Sequence, residues 1–174
     1  MKINCITTQE DIITLFEKLN LSEGDNVFVH SSLSSLGYVV NGALDVIDSL
    51  VEKININFGT ILMPAHSGQM ADPESWQSPP IPKQFIDSVK THMKPFDIKL
   101  TPVKGRGIIT ETFLKYPSVK RSSHPLNSVS ALGKLASFFT CEHNFHEPEG
   151  EFSPVGKLYK IDGHVLLLGV GLST

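Results

Sequence analysis

The stretch from Val27 to His66, VFVHSSLSSLGYVVNGALDVIDSLVEKININFGTILMPAH, decides the fold. Val27-Phe28-Val29 is a short apolar run behind the turn chemistry of Ser22-Glu23-Gly24-Asp25, and reads as a buried strand. Asn41 is a good helix N-cap, and Leu44, Ile47, Leu50 and Val51 after it form a helical stripe. Phe58-Gly59 turns the chain, and Thr60-Ile61-Leu62-Met63 reads as a second buried strand stopped by Pro64. Strand, helix and strand at this spacing form a βαβ unit, with parallel strands joined by a right-handed crossover. His30 and His66 then lie just past the carboxyl ends of their strands. In open α/β sheets that edge is where ligands bind.

Working outward, Thr7 with Glu10 fits a capping box for an opening helix whose apolar face is Ile12, Leu15, Phe16 and Leu19. Residues 67–82 are polar and proline-rich and read as a long surface loop able to cover a site. Pro82 opens a helix to about Met93 with Phe85, Ile86 and Val89 inward. Thr101 to Gly107 is a glycine-bearing loop, and Ile108 to Tyr116 a helix ended by Pro117. Ser128 to Ala131 reads as a strand, Lys134 to Phe139 as a helix, and Ser153-Pro154 as a cap and first-turn proline. Val165 to Val170 is the most apolar strand of all, so deep burial is expected for it.

The 174 residues fit one domain, and 40% hydrophobic with 19% charged residues supports a packed core. A formal charge of -3 offers no basic excess for a phosphate backbone, so nucleic acid is not expected as a partner. Cys5 and Cys141 lack metal-ligand spacing and read as reduced thiols. No signal peptide precedes the first helix, and no run of 18 apolar residues occurs, so no membrane span and a cytoplasmic location are expected.

Several residues could carry chemistry. The loop after His30 is rich in Ser and small residues, between strand and helix. It can aim backbone N–H groups and hydroxyls at an anion, or it is an ordinary βα turn. It is neither a Walker loop nor GxGxxG. His66 can act as a general base near neutrality, or it hydrogen-bonds a carbonyl. Glu111 can orient a histidine, bind an ammonium, or sit solvated near its helix start. His124 precedes Pro125 in an extended backbone, and Arg121 nearby could pair with a phosphate. His143-Asn144-Phe145-His146-Glu147 does not match zinc spacing and reads as a polar surface loop, so no metal site is expected. There is no G-x-S-x-G elbow.

Read together and in order, the motifs resemble the aminoglycoside 3-N-acetyltransferases. Val29-His30-Ser31-Ser32-Leu33-Ser34-Ser35-Leu36-Gly37 is similar to that family's coenzyme-A loop. Met63-Pro64-Ala65-His66-Ser67 resembles its Met-Pro-Thr-His-Thr strand end, and Asp72 to Pro80 its Asp-Pro…Trp-Gln-Asn-Pro-Pro loop. Phe96-Asp97, Thr101-Pro102, Arg121-Ser122-Ser123-His124-Pro125, Ser153-Pro154 and Leu166 to Gly171 complete the set.

The resemblance implies an α/β layered sandwich with a mixed, partly parallel sheet flanked by helices, unlike the histone-acetyltransferase fold. It implies acetyl transfer from acetyl-CoA to the 3-amino group of an aminoglycoside antibiotic, with no metal. His30, Ser31, Ser32, Leu33, Ser34 and Ser35 would then line the cofactor, with Val103, Lys104, Gly105 and Gly107 against its arm. His66, Asp72, Trp76 and Glu111 would face the cationic acceptor, and His66, His124 and Glu111 are the catalytic candidates. Family members continue beyond the Gly-Val-Gly strand end into a Thr/Ser-x-His-x-x-Glu-like run with the proposed catalytic His and Glu. Here the sequence reads Gly169-Val170-Gly171-Leu172-Ser173-Thr174. The expectation is therefore a single domain, residues 1–174, forming the amino-terminal portion of a longer acetyltransferase domain. The alternatives are a non-catalytic CoA-binding domain or an N-acetyltransferase for another small amine.

Overall fold

The computed structural model describes residues 6–172; Cys5, Ser173 and Thr174 lie outside them. The βαβ unit is present. Strand β2 (Asn26–Ser31) leads through helix α2 (Ala43–Ile54) to strand β4 (Thr60–Pro64), and β2 pairs parallel with β4 in the register Asn26↔Thr60, Phe28↔Leu62. Strand β7 (His164–Leu168) pairs parallel on the other side of β2, Val27↔His164 to Ser31↔Leu168. Strand β6 (Val129–Gly133) runs antiparallel to β4, and β5 (Lys120–Arg121) closes that edge. The sheet order is β5-β6-β4-β2-β7, mixed and partly parallel.

Side chains alternate across a strand, so each face of this sheet buries its own set. Val27, Val29, Ile61, Met63, Leu166 and Leu168 pack under α1 (Gln9–Lys18), α2 and α4 (Ile108–Leu114). Phe28, Leu62, Val129 and Ala131 pack under α5 (Ala136–Thr140) and α6 (Pro154–Lys160). Phe16, Phe113 and Phe139, from three of these helices, are wholly buried. Each such side chain removed from water stabilises the fold by roughly 1.5–3 kcal/mol. The result is a helix–sheet–helix sandwich.

Several local expectations move. The capping box exists one residue later: Thr8 Oγ1 accepts from Asp11 N–H, and the Asp11 carboxylate accepts from Thr8 N–H at 2.9 Å. Thr7 instead lies in β1 (Ile6–Thr7), which pairs parallel with β3 (Tyr38–Val39) in a separate two-stranded sheet. The cap of α2 is Gly42, not Asn41; Asn41 donates from its backbone and its amide to the Asp45 carboxylate, both at 2.9 Å. The buried face of α2 is rotated toward Ala43 and Val46, leaving Leu44 exposed. The helix expected from Pro82 splits into a 3-10 turn, Lys83–Phe85, and α3 (Ile86–His92), with Phe85 facing solvent.

The largest departure is β7. Its apolar run is not deeply buried: Leu166 and Leu168 face the core, while Val165 and Leu167 are 59% and 37% exposed. Among the described residues it is an edge strand, paired with β2 alone. Beyond it, Gly169 turns with φ of 71°, and a Cβ there would collide with Ser35. Only glycine combines that backbone with so close an approach to the serine loop.

Candidate active site

The carboxyl edge of β2 and β4 carries the chemistry. His30 is the penultimate residue of β2, and His66 sits two residues beyond β4. Three cavities converge there. A groove of about 720 Å³ runs over the serine loop and is closed on the far side by Gly105, Arg106 and Gly107. A second, about 440 Å³, shares Gly105 and Arg106 with it and adds His66 and Asn127. A third, about 240 Å³, lies toward α6; it shares His30 and Pro64 with the groove, and His66 and Asn127 with the second.

The serine loop is organised internally. Ser32 Oγ lies 3.1 Å from Ser34 Oγ and accepts from Ser35 Oγ at 3.1 Å. Its backbone N–H donates to Leu168 O at 2.9 Å, tying the loop to β7. Ser31 lines the groove, yet its Oγ is buried without a hydrogen-bond partner among the described residues. Gly107, with φ of 84°, bends the opposite wall into α4, so Thr110 also reaches the groove.

His66 has no hydrogen-bond partner for its ring among the described residues. Burial pushes its pKa down to about 4, reinforced by the Arg106 guanidinium and then by His30, His124 and His143. Burial lowers His30 as well, again with help from Arg106. At neutral pH both imidazoles are therefore uncharged and keep a free lone pair. Arg106 makes no hydrogen bond or ion pair among the described residues, and it faces two of the three cavities.

His124 and Arg121 have other work. Arg121, 7% exposed, donates to Ser128 Oγ (2.9 Å), Thr101 O (2.5 Å), Ala65 O (2.7 Å) and Ser67 Oγ (2.6 Å). One guanidinium face stacks on Phe96 at 4.9 Å. It is thus consumed as a clamp and is not the phosphate partner that its sequence context suggested. His124 Nδ1 accepts from the Leu126 and Asn127 N–H groups at 3.1 and 2.9 Å. Its Nε2 lies 3.2 Å from Phe145 O, which can only accept, so Nε2 carries the proton. Both nitrogens are spoken for, and the ring lines none of the three cavities.

His143 is likewise not a surface residue. It is 6% exposed, its Nε2 donates to Pro148 O at 2.8 Å, and its Nδ1 therefore accepts from the Ser122 hydroxyl at 2.8 Å. The two buried rings lie 4.9 Å apart, and Phe145 stacks on His124. Together they pin residues 143–148 against the sheet.

Of the residues expected at the site, the structure brings His30, Ser31, Ser32, Leu33, Ser34, Gly105 and Gly107 into one groove. Ser35 supports it through Ser32, while Lys104 borders the second cavity and its N–H donates to His66 O at 3.4 Å. Val103 is buried beneath the loop and lines none of these cavities. Asp72 stands apart. Its carboxylate accepts from Glu74 N–H and pairs with Lys90 at 3.1 Å, and these hold its pKa below the usual range. Trp76 lines a different apolar groove, about 610 Å³, with Met70, Met93 and Phe96, and its indole N–H donates to Ala71 O at 3.1 Å. Glu111 lines none of these cavities. Sequence reasoning placed Arg106 only as part of the Val103 to Gly107 run along the cofactor arm and left Asn127 without a role; the signal that singles out Arg106 is its seat between two glycines, where a long cation is carried on a bare backbone.

A family described as aminoglycoside 3-N-acetyltransferase matches residues 28–174. The SPbeta prophage-derived aminoglycoside N(3')-acetyltransferase-like protein YokD of Bacillus subtilis (strain 168) is 41% identical over 163 residues, covering 93% of this chain and 60% of that protein. Its crystal structure superposes with a TM-score of 0.93 at 39% identity, over 98% of this chain and 63% of that one. AAC-IIIb in a binary complex with CoASH gives a TM-score of 0.81 at 28% identity, over 98% of this chain and 62% of that one. AAC-VIa bound to sisomicin gives 0.82 at 26%, over 96% and 61%. The chain thus spans about three fifths of the length of these relatives.

Proposed function

The chain belongs to the aminoglycoside 3-N-acetyltransferase family, and from that premise we propose that it binds acetyl-CoA in the serine-loop groove for transfer of the acetyl group to the 3-amino group of an aminoglycoside. The observation that carries this reading is the groove itself. It is lined by the serine loop and by an unpaired Arg106, and through Arg106 it borders the cavity that holds the neutral His66. A relative of the same fold is known as a complex with CoASH, which supports coenzyme A as the ligand.

Bound acetyl-CoA supplies an activated acyl thioester. The chain's own groups divide the remaining tasks. Arg106 offers a planar, permanently charged fork for pyrophosphate oxygens. The small side chains of the loop let backbone and hydroxyls approach the arm closely. An ammonium is no nucleophile, so the acceptor must lose a proton as it attacks. His66 is the uncharged histidine at the cavity junction with a free lone pair, and it is the base favoured here over His124, whose nitrogens are bonded. The tetrahedral oxyanion needs donors aimed at it, a task that suits the backbone N–H groups and hydroxyls of the serine loop.

The relatives' greater length supports reading residues 1–174 as the first part of a longer domain. It also favours a second reading, a CoA-binding half without transfer activity of its own. Mass spectrometry of tobramycin, gentamicin and kanamycin incubated with this chain and acetyl-CoA tests both, with CoA titration calorimetry alongside. A gain of one acetyl group establishes transfer. CoA binding without acetylation establishes the second reading, and absence of CoA binding overturns both.

A further inference from the structure

The third cavity has a composition that an acetyl group does not need. Its floor is Phe28, Val129 and Leu158, which are 5%, 3% and 2% exposed. Its rim is Val155 and Val165, which are 43% and 59% exposed among the described residues. His30, Pro64 and His66 stand at its mouth, and His30 with Pro64 also borders the serine-loop groove. The hollow therefore continues the groove past the carboxyl ends of β2 and β4 onto the α6 face of the sheet. One acidic side chain, Glu149, sits on it, and no Lys or Arg does.

We propose that this cavity beneath α6 is an acyl-chain pocket, which takes uncharged acyl groups longer than acetyl from acyl-CoA thioesters. The inference rests on the groove's being the cofactor site. A chain that runs on from a thioester held at His30 and Pro64 meets an apolar floor and covers the exposed faces of Val155 and Val165. Removal of that surface from water is the driving force. Glu149, an exposed carboxylate on the rim, disfavours a chain that ends in a carboxylate, because like charges repel. The loop carrying Glu149 follows the segment pinned by His124 and His143, so the rim is held in place.

The test is titration calorimetry on the full chain with CoA, acetyl-CoA, butyryl-CoA, hexanoyl-CoA and malonyl-CoA. Moving one methylene from water to an apolar wall is worth about fourfold in affinity. Butyryl-CoA, two methylenes longer than acetyl-CoA, is expected to bind about fifteenfold tighter, and malonyl-CoA to show no such gain. Val155→Trp and, independently, Val165→Trp fill the hollow from its exposed rim. Each should reduce the butyryl advantage below about twofold while CoA itself binds as before. Equal affinity for acetyl- and butyryl-CoA overturns the pocket and leaves the groove assignment standing. A butyryl advantage that survives both substitutions also overturns it, since the chain then lies elsewhere. Failure of every thioester and of CoA to bind overturns the groove and the pocket together.

Discussion

The guanidinium of Arg121 donates a hydrogen bond of 2.7 Å to the carbonyl oxygen of Ala65, the residue that precedes His66. The same guanidinium holds Ser67, the residue that follows, and Thr101, at the root of the loop that carries Arg106. One buried cation thus joins both walls of the candidate site. Replacing it removes the donor while the carbonyls stay buried, and each orphaned group costs about 1–3 kcal/mol. Arg121→Met should therefore destabilise the protein by about 3 kcal/mol or more in urea unfolding. A loss under about 1 kcal/mol would show that water replaces the clamp.

Arg106 has the opposite character: it is exposed, unpaired and close enough to depress both His30 and His66. Arg106→Ala should leave urea stability within about 0.5 kcal/mol of the parent. CoA affinity should fall by about tenfold, in line with loss of a charge-assisted hydrogen bond. The His66 ring should titrate above pH 4 when followed by NMR. An unchanged His66 titration would separate Arg106 from the site.

Acid should destabilise the fold before the carboxylates titrate. A histidine whose folded pKa lies below its unfolded value binds fewer protons folded than unfolded between those two pH values. His66, lowered from 6.5 to about 4, then contributes stability that is complete above about pH 6.5 and lost as pH falls toward 4. His30 and His143, both lowered chiefly by burial, act in the same direction. Chemical denaturation at pH 7.5 and pH 5 should show lower stability at pH 5, and His66→Gln should flatten the difference.

Ser122→Ala should loosen the 143–148 segment. The hydroxyl accepts from Val129 N–H at 2.9 Å and donates to His143 Nδ1, so its loss orphans a backbone donor and a ring acceptor. The expected cost is about 1–3 kcal/mol. Limited proteolysis should cut near Phe145 sooner than in the parent. Unchanged proteolysis would mean that His124 alone holds the loop.

The Lys90 pair reports on Asp72. It is a surface contact, weakened by solvent and salt screening. Lys90→Ala should leave CoA affinity unchanged. In an acetyl-transferring form of the protein it should also leave acceptor use unchanged, because Asp72 sits apart from the His66 cavities. A marked change in acceptor use would bring Asp72 back to the site.

The parallel β2–α2–β4 unit was legible because its information is local. Val27-Phe28-Val29 and Ile61-Leu62-Met63 are apolar at every position, as expected of strands buried on both faces, and the helical stripe between them has its own period. From those runs alone follow the strand ends and hence the edge where His30 and His66 lie. The order of short motifs along residues 25–171 likewise carried the family, since order and spacing are properties of the chain.

What needed the tertiary structure is whatever depends on a neighbour distant in sequence. Val165 to Val170 reads as a core strand, but Val165 and Leu167 stand on a face that little among the described residues packs against, because exposure is set by what lies over a strand. His66 and His124 look alike as candidate bases, yet backbone groups from residues 126, 127 and 145 occupy only the second. Arg121 and Arg106 are the same residue type in polar loops; burial against Ala65, Ser67 and Phe96 turned one into a clamp and left the other free. Local periodicity determines which segments form strands and helices. Desolvation and hydrogen-bond partners, which only the folded chain brings together, decide which side chains remain available for chemistry.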